Sequence, residues 1–294
     1  MRKGIAPLVV VAIFGALALS TEILVLLIGT TEISVRILVE KEILAAINRM
    51  EFLKREIPVA IQYSFYQASY DLTSRGGYTT FSTSYNCIPY WKVFSQNNIP
   101  DAEANMQNVF LKIFSRYTTE LGDVTTTFPK FQVTFDKDAG NMKVFSSDKI
   151  VMQNPDVYLL KEDATFEQRF DTKVFVMFDA AKDFAEKISQ EISSSSSYSD
   201  AVKRIGDAQT EFNSKYQNQF LFVVSTDNNL GKDENNFAFR TSVIVVDTSD
   251  NNYPVYDFSQ SKNVYSNLKL NFYIFDGKDN SVQPQINPCE GIKY

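Results

Sequence analysis

Residues 5–29 read IAPLVVVAIFGALALSTEILVLLIG, and residues 30–75 continue as TTEISVRILVEKEILAAINRMEFLKREIPVAIQYSFYQASYDLTSR. Between Ile5 and Ile28 the only ionisable side chain is Glu22. That run matches the length of about 20 apolar residues that carries a helix across a bilayer core. After Gly29 the pattern changes without stopping. Val35, Val39, Ile43, Ala46, Met50, Leu53, Ile57, Ile61, Phe65, Ala68 and Leu72 recur at steps of three and four, one apolar stripe along a continuing helix. Unbroken to Arg75, that helix is about 105 Å long. The spacing therefore predicts a transmembrane segment over 5–29 and an amphipathic stalk over 30–75. Pro58 predicts a kink near Glu56–Ile57, and Arg75-Gly76-Gly77 predicts the end of the helix.

Composition narrows what the rest can be. The chain has 294 residues, a net charge of −6 and no histidine. A nucleic-acid partner is disfavoured by the charge. The lack of histidine removes Ser–His and Cys–His nucleophilic pairs and imidazole metal sites. No P-loop, GxGxxG or GxSxG occurs. Residues Asp136–Asn141 have the acidic start of a calcium loop but lack its downstream Glu and spacing, so an Asx-rich turn is expected there. No catalytic, cofactor-binding or metal-ligating residue is assigned, and no enzymatic activity is expected. The two cysteines, Cys87 and Cys289, lie far apart and outside any CxxC, which favours one structural disulfide in an oxidising compartment. An aromatic loop with Tyr85, Tyr90 and Trp91 either meets a ligand or neighbouring subunit or packs beneath that bond.

Beyond the stalk, residues 76–294 read as an α+β head: an antiparallel, β-rich unit with a few packed helices on one face. Residues 76–100 read as irregular. Asp101–Leu121 reads as a helix with Asp101 as N-cap and Gly122 closing it. Residues 131–136 and 142–146 form a hairpin around the 137–141 turn. Strands are expected at 149–153, 166–178, 220–225, 237–247 and 267–275, and helices at 179–192 and from Ser199 or Asp200 to about Tyr216. The serines at 193–197 read as a loop between helices, and two subdomains could divide near 193–198.

The N-terminus carries one further signal: Arg2-Lys3-Gly4, then Ile5-Ala6-Pro7 and the apolar run. It resembles the class III signal peptide of archaeal type IV pilins and pilin-like proteins over about the first thirty residues. The resemblance implies cleavage by a prepilin peptidase between Gly4 and Ile5, removing residues 1–4, and retention of the apolar helix as a filament core. It also implies like subunits as partners, with an assembly ATPase and platform, and an exposed head. Val9 stands where bacterial pilins carry a glutamate, so a registration role for that residue does not carry over. Glu22 is the candidate for a polar contact between subunits. Arg2 and Lys3 place the N-terminus in the cytoplasm and the head outside the cell. The alternative is a single-pass, membrane-anchored surface protein whose head binds or adheres without polymerising.

Overall fold

The computed structural model describes residues 5–80, 83–249, 253–257 and 262–287; within the first helix, side chains are described for 19–30 and from 35 onward. In chain order the elements are α1 (Ile5–Ser74), β1 (Ser84–Tyr85), β2 (Ile88–Val93), β3 (Gln96–Asn97), α2 (Ala102–Leu121), β4 (Thr126–Thr127), β5 (Gln132–Asp136), β6 (Asn141–Phe145), β7 (Ile150–Asn154), β8 (Tyr158–Glu162) and β9 (Thr165–Arg169). They continue with α3 (Lys173–Ser194), α4 (Tyr198–Lys215), β10 (Phe220–Thr226), β11 (Ala238–Asp247), β12 (Tyr253–Asp257), β13 (Lys262–Ser266) and β14 (Lys269–Gly277). The architecture is mixed α and β, a long N-terminal helix followed by β-rich sheets.

The first helix continues unbroken through Pro58. From Ala46 to Leu72 every residue of the expected apolar stripe is buried. This half packs against α2, the β12–β13 hairpin and β14. Hydroxyls within it are satisfied locally: Ser64, Ser69 and Thr73 donate to the carbonyls of Ala60, Phe65 and Ser69, one turn back. The helix ends as the two glycines dictate. Gly76 adopts φ +60°, its N–H donates to Thr73 O at 3.0 Å, and Gly77 N–H donates to Leu72 O at 2.8 Å. These are the two bonds of a Schellman ending.

The main sheet runs β1-β2-β14-β11-β10, with β3 beside β2. All its pairs are antiparallel except β14–β2, which is parallel. Along β14, Leu270, Phe272 and Ile274 face the core shared with the helices, while Tyr273 and Phe275 join Tyr90 and Ala238 in a smaller cluster on the opposite face. Two three-stranded sheets, β4-β7-β8 and β5-β6-β9, and the β12–β13 hairpin complete the fold. Asp136 makes the expected Asx turn, accepting from Ala139 N–H at 2.9 Å, with Gly140 at φ +66°.

Several expectations are corrected. Among the described residues no helix is long and apolar enough to cross a membrane. The described apolar run ends at Gly29, and Arg36, Glu40, Lys41 and Glu42 follow it, well short of the ~20 residues a crossing requires. The transmembrane segment over 5–29, the single-pass membrane localisation and the anchored alternative therefore lack support; the side chains of 5–18 lie outside those described. No disulfide is seen between described residues, because Cys289, half of the expected pair, lies outside them; Cys87 itself is not a free cysteine. The expected strand over 166–178 is in fact β9 followed by the start of α3. Val174, Met177, Phe178, Ala181, Phe184, Ala185 and Ile188 are buried at helical spacing, and the run Val174–Phe178 imitates a strand only because it is apolar throughout. The region 76–100, read as irregular, supplies β1, β2 and β3. Ser197, not Ser199 or Asp200, caps α4 by accepting from Asp200 N–H at 3.2 Å.

Candidate functional site

The most prominent feature of the described residues is a set of apolar side chains on α1, before Ala46, that the described fold leaves uncovered. Leu24, Val25 and Leu26 are 57, 69 and 67% exposed, and Leu19, Ile23, Leu27, Ile28, Val35 and Leu38 are also open. The open residues of 19–28 lie all around the helix rather than on one face, as in a helix buried on every side. Burying such a side chain fully is worth about 1.5–3 kcal/mol. Contiguous apolar surface on this scale marks an interaction site.

A charged collar separates this surface from the head. Arg36, Glu40, Lys41 and Glu42 are exposed. Above them Lys54 bridges Glu51 at 3.1 Å and Glu162 of β8 at 3.0 Å. Arg55 pairs with Glu56 at 3.4 Å. Arg49 donates to the carbonyl of Leu121, the last residue of α2, where a cation complements the helix end. A shallow cavity of about 360 Å³, lined among others by Glu42, Arg49, Asp123 and Tyr158, opens where the helix enters the head.

The sequence-predicted site residues fall at separate places. Glu22 is exposed on the uncovered half of α1. Ile5 belongs to the helix, with its side chain outside those described, and Gly4 lies outside the described residues. Cys87 occupies the two-residue turn of the β1–β2 hairpin, where Asn86 and Cys87 have φ of +49° and +62°. Of the aromatic loop, Trp91 is fully buried, stacked on Phe272 with ring centroids 3.9 Å apart, and donates from Nε1 to Gly76 O at 2.8 Å. Tyr90 is buried as well, and Tyr85 lies beneath the Arg240 guanidinium, 4.0 Å from the ring. These aromatics pack the head rather than offer a binding face.

A second feature escapes sequence reading. A cavity of about 480 Å³ lies between α1, α2 and the β12–β13 hairpin, lined by Gln67, Asp71, Ile113, Arg116, Tyr117, Glu120, Tyr256 and Asn263. Gln67 and Asp71 are one helical turn apart and buried. Gln67 Nε2 donates to Asp71 Oδ1 at 2.9 Å, and its Oε1 accepts from Tyr256 N–H at 2.7 Å. Burial pushes the Asp71 carboxyl up to about 6, against smaller opposing effects from Gln67 and Arg75. The available signal was two polar residues flanking the stripe positions Ala68 and Leu72. Their burial needs the hairpin, some 190 residues distant, with Gln67 and Tyr256 separated by 189 positions.

Comparison with protein-family models, with curated proteins and with solved structures finds no match in any of the three.

Proposed function

We propose that the chain is a structural, pilin-like subunit of a cell-surface filament. The uncovered half of α1 packs among the same segments of like subunits, and the head faces outward. The observation carrying this reading is one helix with a divided fate: its stripe is buried by the head from Ala46 onward, while among the described side chains before it Leu19, Ile23, Leu24, Val25, Leu26, Leu27, Ile28, Val35 and Leu38 are open. Copies of the same segment are the simplest cover for it. A helix that is apolar on all sides is satisfied only by several neighbours, as in a bundle core, not by one groove. In this arrangement Glu22 meets a polar partner on an adjacent subunit. The resemblance at Arg2–Pro7 adds maturation by a prepilin peptidase between Gly4 and Ile5, followed by machinery-driven assembly.

Electron microscopy of the cell surface, joined to mass spectrometry of isolated appendages, tests this reading. Filaments built from a chain beginning at Ile5 are the expected result. A chain found only as dispersed monomer with Met1–Gly4 intact, in cells possessing the peptidase, would falsify it. Glu22→Gln is expected to lower filament yield without lowering the amount of folded protein; unchanged yield would remove Glu22 from the interface.

A further inference from the structure

We infer that the polar partner of Glu22 is Arg36 of the adjacent copy, so that neighbouring α1 helices lie parallel and displaced along their axes by about 21 Å, the rise of fourteen helical residues. This contact rests on the filament reading above and sets the register of the assembly. Glu22 is an exposed carboxylate among open apolar side chains, Leu19, Ile23, Val25 and Leu26 among them. Copies that cover those side chains also take Glu22 out of water, and a carboxylate so placed is costly unless a cation meets it. Between Ile5 and Ala45 the chain offers two basic side chains, Arg36 and Lys41, and both are exposed. Among the described residues the ion pairs of α1 are made by Arg49, Lys54 and Arg55, and none of them reaches Glu22, Arg36 or Lys41.

The surroundings of the two cations choose between them. Arg36 sits among the open apolar side chains Val35, Ile37 and Leu38, so bringing it to Glu22 also brings apolar surface against apolar surface. Lys41 is flanked by Glu40 and Glu42. A copy that set Lys41 beside Glu22 would bring two further carboxylates to the same level, and like charges meeting across an interface are costly. The guanidinium is also the better partner for a dehydrated carboxylate, being weakly hydrated and able to donate two parallel N–H bonds. The same pair decides the kind of assembly. Glu22 and Arg36 stand at different levels of one helix, so parallel copies cannot join them by lying side by side without displacement. Each copy gives its Glu22 to one neighbour and its Arg36 to another, a heterologous contact, and the axial displacement keeps it from closing into a ring.

Charge reversal in the full chain, read as filament yield by electron microscopy and sedimentation, tests the pairing. Glu22→Arg and Arg36→Glu are each expected to lower the yield about tenfold or more, and the two together to restore it to within about twofold of wild type. Both positions lie before Ala46, where the head begins to bury the helix, so the thermal midpoint of the head is expected to stay at its wild-type value. Arg36→Lys supplies a direct readout. It keeps the charge, and a carbodiimide then condenses the Glu22 carboxyl with the new amine at position 36. The two positions are about 21 Å apart on one continuous helix, so a peptide joining them comes from two copies. The coupled chains are expected to form a ladder extending beyond the dimer. Where wild-type filaments form, unchanged yield in either single reversal, no rescue by the double reversal, coupling of Glu22 to Lys41 instead, or a ladder that stops at two chains, as an antiparallel pair would give, would each overturn the assignment and leave the filament reading standing. Wild-type chains that form no filament would overturn both.

Discussion

Asp71 has one oxygen held by Gln67 and the other held by nothing among the described residues, and this makes its charge a liability to the fold. Its carboxyl rises from an ordinary 3.8 to about 6, chiefly through burial. The folded state therefore binds the proton more tightly than the unfolded chain. Between those two values stability falls as pH rises, and the penalty is complete above the higher one. The gap corresponds to about 3 kcal/mol at neutral pH. Asp71→Asn keeps an oxygen for Gln67 and removes the charge, so it is expected to stabilise by about 1–3 kcal/mol near pH 7.5 and much less near pH 4. Urea unfolding at the two pH values checks this; an equal effect at both would show that the charge is not responsible. Gly76 carries a second residue-scale constraint. Its φ is +60°, and a Cβ there would lie 2.4 Å from Pro89 Cγ and 2.5 Å from the carbonyl oxygen of Asn271. Both neighbours belong to the main sheet, so the helix ending cannot yield without moving it. Gly76→Ala is expected to cost at least about 2 kcal/mol, combining left-handed strain with the clash. A midpoint within error of wild type would refute that account.

At the scale of elements, the clearest device is the way α4 closes the main sheet. Strand β10 is an edge strand, and unpaired edge groups invite pairing with other chains. Phe222 is relieved of this by two side chains of α4. Asn213 Oδ1 accepts from Phe222 N–H at 2.7 Å, and Asn213 Nδ2 and Gln209 Nε2 donate to Phe222 O at 3.1 and 3.0 Å. An asparagine thus reproduces on the edge the bonds a further strand would make. Removing it strands a buried donor, which costs about 1–3 kcal/mol. Asn213→Ala is expected to lower stability by that amount and to speed hydrogen exchange at the Phe222 amide more than at its neighbours. Uniform protection across β10 in the variant would show that α4 covers the edge by packing alone. The same helix pair explains the serine run: Ser195 donates to Glu191 O and Ser197 caps α4, so the segment closes α3 and opens α4.

For the whole molecule, the division of α1 separates two kinds of substitution. Leu53 is fully buried within the head, and Leu26 is uncovered. Leu53→Ala is expected to destabilise the head by about 2–5 kcal/mol. Leu26→Asp is expected to leave head stability unchanged and to abolish self-association, because a charge must then be desolvated in a helix bundle. Analytical ultracentrifugation paired with thermal unfolding distinguishes the two. Self-association of Leu26→Asp at the wild-type level would mean that this surface is not where copies meet.

The sequence by itself determined what is local. Periodic apolar spacing located α1 and its buried stripe from Ala46 to Leu72, glycine chemistry located its end, and turn residues located the β5–β6 hairpin. These features follow from backbone geometry and the nearest residues, which a linear reading contains. Where a run was apolar throughout, as over Val174–Phe178, helix and strand could not be told apart, and only the packing against the main sheet decided for the helix. Tertiary structure alone decided the parallel placement of β2 beside β14, which joins Tyr90 to Tyr273, and with it the burial of Trp91. It alone decided where the head stops covering α1, since the stripe at Val35 and the stripe at Leu53 read alike in sequence. It also made Asp71 unusual: an aspartate on a helix is ordinarily solvated, and only the hairpin contributed from the far end of the chain removes the water from around it.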